Sequence, residues 1–426
     1  MSRPWSAPTA QGSVRAVCEV PGSKSETARA FLLAGMADAP STVSGALDAR
    51  DTDLMRAGLG RLGVGFTADG PGRWVVEPPD AFTPAPDGID CGLAGTVMRF
   101  LPAVAASAAG TTRFHGDPAA SQRPLRPLLD GLRQLGVAVE GDALPIALHS
   151  PGRLDRLASI DSSASSQFVS ALLLAAPRFS RGLELHHIGA GAVPSRPHID
   201  MTIAMLAAHG VEVQTPDENT WLVDPGPLMA VDQRVEPDLT NAAVFLAAGV
   251  VTGGRVAIVG WPEETTQPGV HALEVLQAMG ASVGREGDAV WASADGLTAI
   301  DIDLHEASEL TPVVAALMAL AEGRSVIRGV AHIRGHETDR LAALAAGLGG
   351  LGVAVEETAD GLAITGAGGA GIHAGVFPTR DDHRLAHAAA LIGLRVAGVE
   401  LDDVACTSKT MPDFPERWAA MLGASR

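Results

Sequence analysis

Tyrosine is absent from this 426-residue chain, and lysine and asparagine occur only twice each. Cysteine occurs three times, at Cys18, Cys91 and Cys406, an odd number without metal-ligand spacing. That excludes a disulfide framework and points to a reduced, cytoplasmic protein. No apolar run approaches the ~18 residues of a membrane helix, and Met1 to Trp5 has no signal-peptide core. Positive charge is scarce: 31 basic against 49 acidic residues give a net charge of −18. Such a chain is a poor partner for nucleic acid or an anionic membrane. What remains is 46% hydrophobic and 19% charged, with 49 glycines and 28 prolines. That composition fits a globular enzyme for a small molecule, and length alone suggests two or three domains. The two lysines, Lys24 and Lys409, stand against an arginine-rich background. A retained lysine there is a candidate for a site that needs an amine.

Repetition organises the chain. An amphipathic run, a glycine and an alternating apolar segment recur at Gly63, Gly136, Gly210, Gly280 and Gly352, with a last copy at Gly423. Each glycine is expected to close a helix in the left-handed conformation, with a strand after it. A small-residue helix followed by a strand ending in Gly116, Gly189, Gly260 or Gly329 interleaves with the first pattern. The spacing of roughly 70 residues predicts six βαβαββ units. The sixth unit runs out of chain, whereas Ser13–Val20 is a strand without a unit. That strand is expected to complete the last unit, which joins the first ~20 residues to the C-terminal half. The crossings then fall at Val20-Pro21-Gly22 and in the proline-rich stretch 226–238. The expected domains are 1–20 with 238–426, and 21–237, with the active site in the cleft between them.

Short motifs narrow the chemistry. Two Gly-x-Gly-x-x-Gly sequences, at Gly58–Gly63 and Gly347–Gly352, close helices rather than open them, so a dinucleotide site is not expected. Gly22-Ser23-Lys24-Ser25 lacks the glycine that a P-loop places before its lysine. It still puts an amine, hydroxyls and a helix start together, which suits an anion. Asp161-Ser162-Ser163-Ala164-Ser165-Ser166-Gln167 supplies four hydroxyls where capping needs one, and Ser195-Arg196-Pro197-His198 is similar. His336-Glu337-Thr338-Asp339-Arg340 has arginine where a zinc helix needs a second histidine. No metal is expected.

Taken together and in order, Pro21–Ser25, Leu93-Ala94-Gly95-Thr96, Ser165-Ser166-Gln167, Glu337–Arg340, Asp382-His383-Arg384 and Lys409–Pro412 resemble the 5-enolpyruvylshikimate-3-phosphate synthase family, with actinobacterial features. The resemblance runs from about Val14 to Trp418. It implies an α/β fold of two inside-out α/β barrel domains, with three βαβαββ repeats each. The implied reaction moves the enolpyruvyl group of phosphoenolpyruvate to the 5-hydroxyl of shikimate 3-phosphate by addition and elimination, with release of phosphate and no cofactor. The resemblance also implies residue roles. Lys24, Glu309 and Glu337 would be catalytic. Lys24, Ser25, Arg29, Ser165, Ser166, Ser195, Glu309 and His336 would hold phosphoshikimate. Lys24, Gly95, Arg123, Gln167, Arg340, Arg384 and Lys409 would hold phosphoenolpyruvate. With Arg99, the cations of this set come from both halves of the chain. Ala28, Leu93 and His198 depart from the family pattern, which leaves a related cyclic alcohol as an alternative acceptor. The related UDP-N-acetylglucosamine enolpyruvyl transferases carry an acid on a mobile loop, and Gly116–Arg123 holds no Cys. A non-catalytic paralogue would be expected to lose Lys24, Glu309, Glu337 or Lys409. A monomer acting on two small molecules is expected, and glyphosate, an enolpyruvate-like anion, should inhibit it.

Overall fold

A computed structural model describes residues 4–424. The chain divides into two compact units, one of Gly22–Val235 and the other of the segment up to Pro21 with Glu236 onward. Each is built from three repeats, and each repeat folds for the same reason. Its first helix is apolar on every side, so it must be buried on every side. In the Gly22–Val235 unit these helices are Lys24–Met36, Gly95–Ala105 and Gln167–Ala175. In the other unit they are Leu239–Val251, Thr311–Leu320 and His383–Gly393. Every residue of Gly95–Ala105, Leu239–Val251 and Thr311–Leu320 is buried. The three helices of a unit pack on one another, and the sheets lie outside them. The sheets stay open, and helices rather than strands occupy the centre.

Four-stranded sheets recur with one order. In the second repeat, Ile89–Asp90 runs parallel to Gly110–His115, which pairs antiparallel with Ile146–Ser150, and that strand with Ala138–Glu140. The amphipathic helix before the last two strands ends on a left-handed glycine in five repeats, with φ of 106° at Gly63, 97° at Gly136, 78° at Gly210, 95° at Gly280 and 92° at Gly352. Gly423 differs, because it is the last residue of the Phe414–Gly423 helix and Ala424 caps it.

The strand of Arg15–Cys18 corrects one expectation. It lies parallel to Arg255–Ile258, so it completes the fourth repeat, not the sixth. The sixth sheet is completed by Trp5–Ser6, which pairs antiparallel with Glu400–Leu401. The reason is position within the repeat. The fourth repeat lacks its opening parallel strand, and the sixth lacks its closing antiparallel pair. Two short N-terminal strands supply one strand to each, and the sixth sheet has three strands. The first repeat is completed in the same manner from the far end of its unit, where Gln233 and Arg234 run parallel to Val43 and Ser44. The proline-rich stretch is therefore partly strand rather than free linker, and Leu228 also bridges Ala37. The chain segments at the two crossings are tied, since Asp238 N–H donates to the Pro21 carbonyl at 2.9 Å.

Candidate functional site

In the Gly22–Val235 unit, each buried helix opens on a residue of the expected site. Lys24, Gly95 and Gln167 are each the first residue of one helix. Ser23 caps the first, its hydroxyl accepting from Glu26 N–H. Lys24 Nζ lies 3.5 Å from the Asp51 carboxylate, which is 3% exposed. Arg99, in the second helix, donates to Gln167 Oε1 at 2.7 Å and to the Pro124 carbonyl at 3.1 Å. Arg123 donates to the Leu93 carbonyl at 3.0 Å. Its guanidinium lies over Gly95 so closely that a Cβ there would be 2.9 Å from Nη2. Helix N-termini leave unpaired N–H groups and a partial positive charge at their first turns. With Lys24 and Arg123 beside them, this end of the unit is built for anions.

Arg29 serves the same cluster from beneath. It is 1% exposed, and all three guanidinium nitrogens donate to protein. Nε reaches Thr202 Oγ1 at 2.8 Å, Nη1 the Ser25 carbonyl at 2.9 Å, and Nη2 the His198 carbonyl at 3.0 Å. Burial pushes its pKa down to about 9. Arg29 thus ties the Lys24 helix to the Ser195–His198 turn. Ser195 holds a left-handed φ of 53°, a costly conformation for a residue with a side chain. Ser165 Oγ accepts from Gln167 N–H at 3.2 Å, and both Ser165 and Ser166 are buried. Two departures from the family pattern act through backbone. The Leu93 carbonyl anchors Arg123 and the His198 carbonyl anchors Arg29, whatever their side chains. Ala28 packs in the core, 1% exposed.

The other unit gathers a second cluster. Arg340 opens the Arg340–Gly350 helix and is 1% exposed. Its Nη1 donates to Glu309 at 2.7 Å, Nη2 to Glu337 at 2.7 Å and Nε to Asp382 at 2.6 Å. Arg384 Nε lies 2.6 Å from the same Glu309 oxygen, and Lys409 Nζ donates to Glu337 Oε1 at 2.6 Å. Three cations therefore meet three carboxylates. Partial burial pushes the Glu309 carboxyl up, but Arg340 and Arg384 outweigh it and hold it well below the usual range. His336 Nδ1 lies 3.1 Å from Arg340 Nη1 and 3.3 Å from Glu309. Nδ1 therefore faces a donor in Arg340 and an acceptor in Glu309. Burial lowers its pKa, which favours the neutral ring.

The family resemblance named Glu309, His336, Glu337, Arg340, Arg384 and Lys409, and the structure brings all six together. It did not single out Asp382 as a ligand of Arg340. Asp382 is fully buried; one oxygen caps its helix by accepting from Arg384 N–H at 2.9 Å while the other takes Arg340. The Arg380–Asp381 pair before it has φ of 51° and 58°, strain that one-dimensional motifs do not reveal. Asp51 was also passed over, because an acidic residue in a helix's first turn is ordinary. His332 was missed as well; its Nε2 lies 2.9 Å from Ser308 Oγ, next to Glu309.

Buried helix trios inside open sheets are the fold of the enolpyruvyl transferases. The chain resembles, with a TM-score of 0.82 and 23% identity over 99% of its length and 98% of the other, an EPSP synthase from Acinetobacter baumannii. It also matches the enolpyruvyl transferase NikO from Streptomyces tendae, with a TM-score of 0.73 and 19% identity over 97% and 96% of the two chains. A 3-phosphoshikimate 1-carboxyvinyltransferase from Kocuria rhizophila is 50% identical, covering 99% of this chain and 97% of that one. The family model for EPSP synthase (3-phosphoshikimate 1-carboxyvinyltransferase) matches residues 8–418, and the chain belongs to that family. It is an enolpyruvyl-transferring enzyme of the shikimate pathway. Among the described residues no helix is long and apolar enough to cross a membrane.

Proposed function

We propose that shikimate 3-phosphate and phosphoenolpyruvate are bound jointly by residues of both clusters. In this reading Arg340 and Arg384 take the enolpyruvate carboxylate, for which arginine forks are suited. Lys24, Arg123 and Lys409, with Gln167 and the Gly95 amide, take its phosphate. Ser25, Ser165, Ser166 and Ser195 hold phosphoshikimate, with His336 at its ring hydroxyls and Arg29 positioning Ser25 from below. Two substrates bring two phosphates and two carboxylates, whose mutual repulsion at low dielectric demands cations from both units. Glu309 accepts the 5-hydroxyl proton. Glu337 gives a proton to C3 of the enolpyruvate and later recovers it. Lys24 reaches both substrates and polarises the hydroxyl. Preorganised charge and positioning supply most of the rate. The chain acts as a cytoplasmic monomer in this reading, since both clusters belong to one chain and its three thiols are free.

The observation that carries the assignment is Glu309. It is a carboxylate kept ionised by two arginines, with a histidine at its other oxygen. A base for an alcohol must be unprotonated, and this one is. Phosphate release from phosphoenolpyruvate tests it, with shikimate 3-phosphate compared against unphosphorylated and related cyclic alcohols. Glu309→Gln is expected to lower kcat by about 10²–10⁴, with a much smaller change in KM for shikimate 3-phosphate. Equal losses in both would make Glu309 a binding residue. A faster reaction with another alcohol would change the acceptor.

A further inference from the structure

The carboxylate–cation cluster is neutral as it stands. Arg340, Arg384 and Lys409 carry three positive charges; Glu309, Glu337 and Asp382 carry three negative ones. Among the groups facing Glu337 are Arg340 at 2.7 Å from Oε2 and Lys409 at 2.6 Å from Oε1, with His336 its neighbour in the chain. Both cations donate to the Glu337 carboxylate, as they would to an ion, yet an acid must carry a proton before it can protonate C3. These cations are those assigned above to the enolpyruvate carboxylate and phosphate.

We propose that the arriving phosphoenolpyruvate takes Arg340 and Lys409 away from Glu337, and that Glu337 then takes up a proton from solvent and becomes the loaded acid. The inference rests on the substrate assignment made above. Glu337 rather than Glu309 receives the proton for two reasons. Glu337 is 8% exposed and Glu309 is 22% exposed, so water compensates a lost counter-ion better at Glu309. Glu309 also keeps His336 at its second oxygen. Asp382 stays paired, because it holds Arg340 through Nε at 2.6 Å and touches Nη2 only at 3.4 Å.

The steps balance. The 5-oxygen bonds to C2 while its own proton passes to Glu309. The proton on Glu337 moves to C3. The C2–O bond to phosphate then breaks, C3 returns a proton to Glu337, and the proton on Glu309 leaves with the phosphate.

Calorimetry of the full chain tests the inference. Phosphoenolpyruvate is titrated in the presence of 5-deoxyshikimate 3-phosphate, which lacks the accepting hydroxyl. Two buffers of different protonation enthalpy are compared at about pH 8, well above the second phosphate ionisation. Uptake of about one proton per phosphoenolpyruvate is expected, with affinity falling up to about tenfold per pH unit above that point. Glu337→Gln should still bind and should lose the uptake. Binding without uptake, or uptake that survives in Glu337→Gln, overturns the inference while leaving the substrate assignment standing. Affinity unchanged in Arg384→Met and Lys409→Met overturns the assignment, and the inference with it.

Discussion

A single methyl group is enough to probe the anion pocket at the start of the Gly95–Ala105 helix. A Cβ on Gly95 would lie 2.9, 3.1 and 3.2 Å from Nη2, Nη1 and Cζ of Arg123. Those atoms belong to the far end of a flexible side chain, so the fold can absorb the clash by moving the guanidinium. Moving it lengthens the 3.0 Å hydrogen bond to the Leu93 carbonyl and takes a charge off the proposed phosphate position. Gly95→Ala is therefore expected to keep its thermal stability and to raise KM for phosphoenolpyruvate by about tenfold. That is roughly 1.4 kcal/mol of lost ground-state binding, and kcat should change far less. Steady-state kinetics on the purified variant decide it, and an unchanged KM would remove Arg123 from the phosphate site. The glycine was legible in the sequence, because Leu93-Ala94-Gly95-Thr96 stands out as a motif. Its partner was less so: Arg123 lies 28 positions further on, and only the folded chain shows that the two touch.

Elements show a different balance. The six buried helices and the five glycine-closed partners were readable because each repeat must solve the same burial problem with the same pattern. The destination of Arg15–Cys18 was not readable, since an edge strand carries no label for the sheet it joins. Pairing is fixed by backbone hydrogen bonds, and Val17 is 71% exposed there, so its side chain adds no core constraint. Titratable groups inside a helix were also hidden. His387 lies in the apolar His383–Gly393 helix, 1% exposed, with no hydrogen bond to Nε2 and its ring 4.7 Å from that of Phe414. Burial, with Arg384 in support, lowers its pKa to about 3 from an ordinary 6.5. The folded state then keeps it neutral where the unfolded chain would protonate it. As pH falls below 6.5 the unfolded state binds the extra proton, so stability declines by up to ~1.4 kcal/mol per pH unit until the folded pKa is reached. His387→Met removes that contribution. Urea unfolding between pH 7 and pH 5 should show the variant losing about 2 kcal/mol less than the parent. Parallel pH slopes would mean that His387 does not contribute. His332, also lowered to about 3, adds a slope of the same sign that the variant retains.

At the scale of the molecule, the two units differ in how the chain supplies them. Gly22–Val235 is one continuous segment and closes its own first sheet with Gln233–Arg234. The other unit needs two separate segments. Without residues 4–21 it loses the parallel strand beside Arg255–Ile258 and the antiparallel strand beside Glu400–Leu401. It also loses Ala7 and Val14 from its core, and the Ala7 N–H bond to the Val399 carbonyl at 2.9 Å. Two sheets would then each expose a row of unpaired backbone groups, a recognised route to aggregation. The expectation is asymmetric. A fragment of Gly22–Val235 should fold alone and unfold cooperatively in urea. A fragment from Glu236 onward should be aggregation-prone, and a peptide of residues 4–21 added in trans should restore a cooperative transition. Arg15–Cys18 is the decisive part of that peptide, because Gly254 lies directly against the Val14 carbonyl where the strand begins. Placing a Cβ there should abolish rescue, so Gly254→Val in the large fragment is the control. If the large fragment folds unaided, the N-terminal strands decorate the unit rather than complete it.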